Sequence, residues 1–426
     1  MIDFTLTPSQ RQLQKDARAF AQTVLAGASS TYAALPDQKS RFQATRPLYA
    51  QAVAAGQLKA QIPIPLGGTN ASLVDAAIAL EEMYAVDPSV TLTVAGTGLG
   101  LTPVILGGSP EQQQRLLKPF LTGEGEPLAS FVHSEPGGTA NWLEKGAKGL
   151  QTTARKEGDV WVINGEKLWT TNSGGWDGKG ADLQCVVCRH TQDGLPQAAD
   201  ADPAASILIL IVTREIIAQN DPGAYAILED PELAGHVAVS GPRSRFTNLR
   251  VPAENLLAAP GTGAALVEET FGASAALVGA FSTSIMRATF EAALKFAREE
   301  TRGGTVPILH RQTVADLLID IKMRTDTSRL LTWKALHALQ HGPGDFPSRL
   351  ELCLQAKIFC SENSVRCVTD AMKVVGITSY RKDQPFTRLL NDAVCLPIFD
   401  GGNQGIRRRQ IEKIFQVDDY DPLGSF

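Results

Sequence analysis

Thr152-Thr153-Ala154-Arg155-Lys156-Glu157-Gly158-Asp159-Val160-Trp161-Val162-Ile163-Asn164-Gly165 decides how this chain is read. Two runs, the second rich in β-branched and aromatic residues, flank a turn at Glu157-Gly158-Asp159. The second run enters Asn164-Gly165, the strongest short hairpin signal, because both residues tolerate the positive φ of a tight turn. The pattern repeats every two residues, as a strand requires. On both sides of this region the apolar spacing is helical instead. The stretch therefore marks a β segment set between two α segments.

Working outward, residues 183–188, 207–213 and 236–240 are further strand candidates, and a polar, Asp/Pro-rich loop at 191–203 is expected at the surface. These define a middle β domain over 126–260. Upstream, residues 9–25 and 72–84 carry apolar residues at helical spacing, with a Pro/Gly-rich connection at 62–68, giving an N-terminal helical domain over 1–125. Downstream, 264–300, 311–339 and 349–375 are long helical patterns broken at Arg302-Gly303-Gly304 and Gly342-Pro343-Gly344. They predict an antiparallel four-helix bundle over 261–426, with a helix from about 404 at its end. The fold class is α+β and multidomain, in the order helical, β, helical bundle.

Composition sets outer bounds. Hydrophobic content of 43% and charged content of 20% describe an ordinary globular protein. A net charge of −5, with local basic density confined to Arg407-Arg408-Arg409, argues against nucleic acid as a partner. The longest uninterrupted apolar run, 207–212, is strand-sized, so no membrane association is expected. The acidic start Met1-Ile2-Asp3 does not read as a signal peptide, the last residues (423–426) carry no recognisable address, and a cytoplasmic location is the default. Cys353, Cys360 and Cys367 fall on one helical face as small buried hydrophobes. Cys185 and Cys188 would point to opposite faces of a strand, which argues against chelation, and the six histidines show no ligand spacing. No metal is expected.

The chemistry concentrates in Ile398-Phe399-Asp400-Gly401-Gly402-Asn403-Gln404-Gly405-Ile406-Arg407-Arg408-Arg409-Gln410. A carboxylate leaves an apolar segment, meets two glycines that allow close backbone approach, and has an arginine seven residues on. That combination suits a base delivered to a bound planar molecule. It also suits a helix N-cap at Asp400 with the arginines as a solvated face, and both readings can hold together.

The domain order, with a carboxylate late in the last helical domain, resembles the acyl-CoA dehydrogenase superfamily of flavoproteins. Phe131-Val132-His133-Ser134-Glu135-Pro136 with Thr139-Ala140-Asn141 resembles that family's first flavin-contacting loop. Lys167-Leu168-Trp169-Thr170-Thr171-Asn172-Ser173 resembles the second, with Thr171 as the hydroxyl near flavin N5. Arg302 and Gln312 resemble the pair that reaches the FAD pyrophosphate and adenine, and Lys373 to Gly376 the segment contributed by a neighbouring subunit. Asp400, Gly401, Gly402 and Asn403 complete the expected cofactor contacts.

Where the dehydrogenases commonly carry Tyr-Glu-Gly-Thr, this chain has Phe399-Asp400-Gly401-Gly402, a base one methylene shorter. Phe-Asp-Gly-Gly-Asn followed by Arg-Arg-Arg-Gln is similar to the nitroalkane oxidase branch of the superfamily. That resemblance implies FAD as cofactor, a nitroalkane and O2 as substrates, and a homotetramer. It implies Asp400 as the base that takes the α proton, Arg407 as its charge partner and Ser274 as its hydrogen-bond donor. The rival readings are desaturation of an acyl-CoA thioester, a flavin-binding scaffold without turnover, and a two-component monooxygenase. The shortened base and Gly402 argue against the first, and an intact Asp400, Arg407 and Ser274 against the second. A carboxylate base would be unexpected in the third.

Overall fold

The computed structural model describes residues 4–191 and 201–424. Most of the polar loop expected at 191–203, and the first and last few residues of the chain, lie outside the described residues. Helices occupy the first part of the chain, through Leu121. Pro8–Phe20 starts at a Thr7 capping box, and Leu73–Tyr84 starts where the Ser72 hydroxyl accepts from the Asp75 amide. Several helices escaped the sequence reading, the longest of them Pro88–Gly107 and Pro110–Leu121. The first of these, like the 37-residue Gly263–Glu299, is long and apolar enough to cross a membrane by length and composition, which corrects the expectation from uninterrupted runs. Interspersed Gly and Thr hid it. Most of that helix is buried inside the fold, and a Cβ at Gly100 would lie 2.3 Å from the Ser130 amide. The glycine lets helix and sheet backbones pack closely.

The sheet among the described residues has eight strands: β1 (Ala129–Val132), β2 (Thr153–Glu157), β3 (Val160–Lys167), β4 (Leu183–His190), β5 (Ile207–Thr213), β6 (Tyr225–Glu229), β7 (Arg243–Pro252) and β8 (Leu256–Ala258). Their order is β6-β7-β3-β2-β4-β5-β8, with β1 parallel to β4. The turn at Glu157-Gly158-Asp159 joins β2 to β3 as read. Asn164-Gly165 does not turn the chain. It sits inside β3 as a bulge against β7, with Gly165 at φ 141 and no room for a Cβ beside Thr152. The sequence reading did not name β1, β6, β7 or β8 as strands; β7, the pairing partner of β3, carries charged residues on its exposed face. Residues 236–240 are a turn rather than a strand: the His236 amide is taken by Asp392 and its ring by Tyr84. Cys185 and Cys188 on β4 lie in different hydrophobic cores, one on each face.

Three long helices follow, Gly263–Glu299, Gln312–His341 and Phe346–Val375, and the shorter Phe386–Cys395 packs against the first and third. Cys353, Cys360 and Cys367 lie against the second bundle helix, their thiols directed at the carbonyls of Ala335, Ser328 and Ile321. Leu73–Tyr84 also packs on the first bundle helix, where Glu81 and Glu82 meet Arg287, while Glu81 also meets Arg329 of the second bundle helix. This contact fixes the first bundle helix, which carries Ser274, against the rest of the molecule.

Candidate active site

Between Phe386–Cys395 and the last helix, Arg408–Phe415, the chain makes a tight loop into a π turn at Asn403–Arg407. Asp400 at φ 52 and Gly401 at φ 74 are consecutive left-handed residues that swing the carboxylate inward. Ser274 Oγ donates to Asp400 Oδ1 at 2.8 Å, although the Phe271 carbonyl is also within its reach at 3.2 Å. Asp400 Oδ2 is buried and accepts no hydrogen bond among the described residues, and its nearest cation is Arg407 Nη2 at 3.5 Å. Burial pushes the Asp400 carboxyl above the usual carboxylate range, opposed by Arg407, Ser274 and Lys357. One oxygen is held and the other is free to accept a proton.

Arg407 is equally buried. Its Nη2 and Nε donate to the Asp400 carbonyl at 2.6 and 3.1 Å, and its Nη1 donates to Gln410 Oε1 at 3.0 Å. Arg407 therefore clamps the backbone of Asp400 more than its carboxylate. A π turn ends here, a local widening that recurs at functional sites. The N-cap reading of Asp400 is corrected: Gly402 precedes the π turn and no side chain caps it. Gly401 has a packing role as well. A Cβ at Gly401 would lie 2.7 Å from Arg407 Nε and Cζ, so the glycine makes room for the arginine. Gly401→Ala is expected to lower the melting temperature and turnover together, by the order of 1–3 kcal/mol in stability. Circular dichroism melting checks the first and a rate assay the second.

Next to the clamp stands an aromatic wall. Arg407 lies 5.8 Å over the Phe271 ring, which packs on Phe131 at 5.0 Å and on His133 at 5.6 Å. Trp142 closes on His133 at 4.8 Å. Burial holds the His133 pKa down to about 3, so the ring is neutral, and its Nε2 is buried without a hydrogen-bond partner among the described residues. Phe271 and Trp142 were absent from the expected site. Their helical and loop contexts give no signal beyond ordinary apolar residues.

The two loops expected to contact a flavin are brought together by a buried ion pair that sequence reading did not isolate. Lys167 Nζ donates to Glu135 Oε1 at 3.0 Å and to the His133 carbonyl at 2.9 Å. The Leu168 amide donates to the Ser134 carbonyl at 2.9 Å and sets the loops side by side. Asn172, at φ 70, donates to the Thr93 carbonyl and to Thr97, anchoring the second loop on Pro88–Gly107. Trp169, at φ 65, leaves its indole 55% exposed. An unpartnered ring nitrogen, an exposed indole and an aromatic wall fit a planar conjugated ring system, and Phe131, His133 and Trp169 would hold it.

Other expected contacts take different places. Val132 is buried in the sheet core, and the Thr170 hydroxyl is spent on Ser173, so both can offer a ligand only their backbone. Thr171 accepts from Ser130 Oγ through its carbonyl. Thr139 accepts from the Trp142 amide, while Ala140 and Asn141 are held by Arg409. Asn403 is 2% exposed, and its side chain faces Lys357, Ser361 and Glu362 instead of the open site. Arg302 donates to the Val375 carbonyl beside Gly376, Gln312 bonds Asp316, and Lys373 bonds Asp370. Arg302 lies beyond the far end of the first bundle helix from Ser274, roughly 35–40 Å along the axis at 1.5 Å per residue. Within one chain these four residues do not join the Asp400 cluster.

Residues 7–124 match the acyl-CoA dehydrogenase N-terminal domain and 261–415 the acyl-CoA dehydrogenase C-terminal domain. The chain is 57% identical to nitroalkane oxidase of Fusarium oxysporum, over 100% of this chain and 97% of that protein. It belongs to the nitroalkane oxidase family. A second member of that family, from Podospora anserina, is 52% identical over 100% of this chain and 98% of its own length. A solved nitroalkane oxidase, an active-site mutant crystallised with 1-nitrooctane, superposes with a TM-score of 0.98 at 56% identity, over 100% of this chain and 99% of that one.

Proposed function

We propose that this protein oxidises nitroalkanes to aldehydes or ketones with FAD as cofactor and O2 as acceptor. The observation that carries the reading is the divided carboxylate of Asp400, with Oδ1 held by Ser274 and Oδ2 buried and free of donors. A nitroalkane is far more acidic than a thioester, so a carboxylate whose basicity is raised by burial suffices to take its α proton. Asp400 Oδ2 takes that proton, leaving the nitronate. Ser274 keeps the carboxylate oriented, and Arg407 holds the strained backbone beneath it. When bound, the flavin supplies the two-electron oxidation and passes the electrons to O2. In each turnover one nitroalkane, one O2 and one water become one carbonyl compound, one nitrous acid and one hydrogen peroxide.

The relatives support these assignments. In a solved flavoprotein nitroalkane oxidase, an aspartate and an arginine have roles in the reaction, and they share the seven-residue spacing of Asp400 and Arg407. An active-site serine mutant of a nitroalkane oxidase, crystallised with 1-nitrohexane, corresponds in spacing to Ser274. A homotetramer is part of the proposal. Arg302 lies far along the first bundle helix from the Asp400 cluster, and Arg302, Gln312, Lys373 and Gly376 would serve the cofactor of a neighbouring copy. A cytoplasmic location completes it, on the ordinary globular composition of the chain.

The test is nitrite release from nitroethane by the purified, FAD-loaded protein in air. Sustained release in step with O2 uptake is expected. No release from protein holding intact FAD would return the reading to acyl-CoA desaturation.

A further inference from the structure

Lys357 is completely buried on the third bundle helix, a costly place for an ammonium group. No carboxylate lies within salt-bridge distance of it among the described residues. Its Nζ donates to the Leu396 carbonyl at 2.9 Å and to Asn403 Oδ1 at 2.8 Å. Those two acceptors are the two ends of the loop that carries Asp400. Asn403 is then fully engaged, because its Nδ2 donates to Ser361 Oγ at 3.1 Å and to Glu362 Oε1 at 3.3 Å, and its amide donates to the Pro397 carbonyl at 2.9 Å. Inside the bracket, Asp400 keeps its left-handed backbone at φ 52.

We infer that Lys357 is a positioning residue for proton abstraction, holding both ends of the 396–403 loop so that Asp400 meets the substrate's α carbon in the productive geometry. The inference rests on the reading of Asp400 as the base. A buried lysine is not a stabilising choice for its own sake, since an apolar residue of similar volume would avoid the desolvation. Burial pushes its pKa down to about 7, while Asp400 acts in the opposite direction. Both of its bonds go to acceptors, so either protonation state can make them.

The experiment compares Lys357→Met with wild type in the FAD-loaded protein, on neutral nitroethane and on its preformed nitronate. The nitronate has already lost its α proton and does not need the base. Displacing the base by about 1 Å costs on the order of 10²-fold, so kcat/KM for nitroethane should fall by about that factor. The value for the nitronate should stay within about two-fold, with the flavin absorbance spectrum unchanged. Equal loss on both substrates, or no loss on either, overturns the inference. Asp400→Asn is run in parallel. If it also fails to separate the two substrates, the base reading falls and this inference falls with it; if it separates them and Lys357→Met does not, only the role of Lys357 falls. Should Lys357→Met not fold with FAD, Asn403→Ala removes one arm of the bracket, together with the Nδ2 bonds to Ser361 and Glu362, and leaves Lys357 on the Leu396 carbonyl. It is expected to show the same selective loss, to a smaller degree, and equal or absent loss there is equally decisive.

Discussion

Asp400→Asn is expected to lower kcat/KM for neutral nitroethane by about 10² to 10⁴-fold, the range a positioned base contributes. The value for the preformed nitronate should stay within about two-fold. Asparagine keeps the shape of the side chain and can still accept from Ser274 through its oxygen, so the loop is not disturbed. It removes the basic oxygen that the structure leaves without a donor. Stopped-flow flavin reduction on the two substrates reads the difference directly, and equal loss on both would sink the assignment. The pH dependence has a definite sign. Burial raises the Asp400 pKa above 3.8, so activity on neutral substrates should fall on the acid side at a midpoint above that value. For stability the same shift means that the protonated form favours the fold. That contribution is present below 3.8 and is lost as pH rises through the folded-state pKa.

The helix–sheet–helix order was legible because period and length change sharply along the chain. Helices such as Leu73–Tyr84 and the three long bundle helices lie within a few residues of their expected bounds. Asn164-Gly165 misled because the local turn signal is overridden by pairing: β7 runs past it and absorbs the glycine as a bulge. Pro88–Gly107 was missed because it is apolar nearly all round, and such a helix shows no stripe. At the site, Asp400, Ser274 and Arg407 were legible through resemblance, and the structure brings them within hydrogen-bond or ion-pair distance. Lys357 was not, since a lysine in a helix is ordinarily read as part of a solvated face. A signal did exist. Cys353 and Ser361 stand four residues to either side of Lys357, both buried, so the lysine shares its face with small core residues. The Lys167–Glu135 pair was invisible for a different reason: its partners are 32 residues apart and meet only through the sheet.

Arg407 should prove as sensitive as the base it holds. Its fork closes on a single carbonyl, that of Asp400, through Nε and Nη2. Arg407→Met leaves that carbonyl and the buried carboxylate without their cationic partner, a change that costs about 3–5 kcal/mol for a buried pair. The melting temperature should fall, and turnover of neutral nitroethane should fall with it. Because Arg407 holds the Asp400 pKa down, its loss should also move the acid limb of the pH profile to higher pH. Arg407→Lys separates geometry from charge. Lysine keeps the positive charge but cannot present two donors in a fixed plane to one oxygen. The acid limb should then move less than in the methionine variant, while kcat/KM for the neutral substrate still falls steeply. Near-normal turnover in Arg407→Lys would show that charge alone suffices and that the backbone clamp is incidental. An unmoved acid limb in Arg407→Met would show the reverse, that Arg407 acts on the position of Asp400 and not on its ionisation.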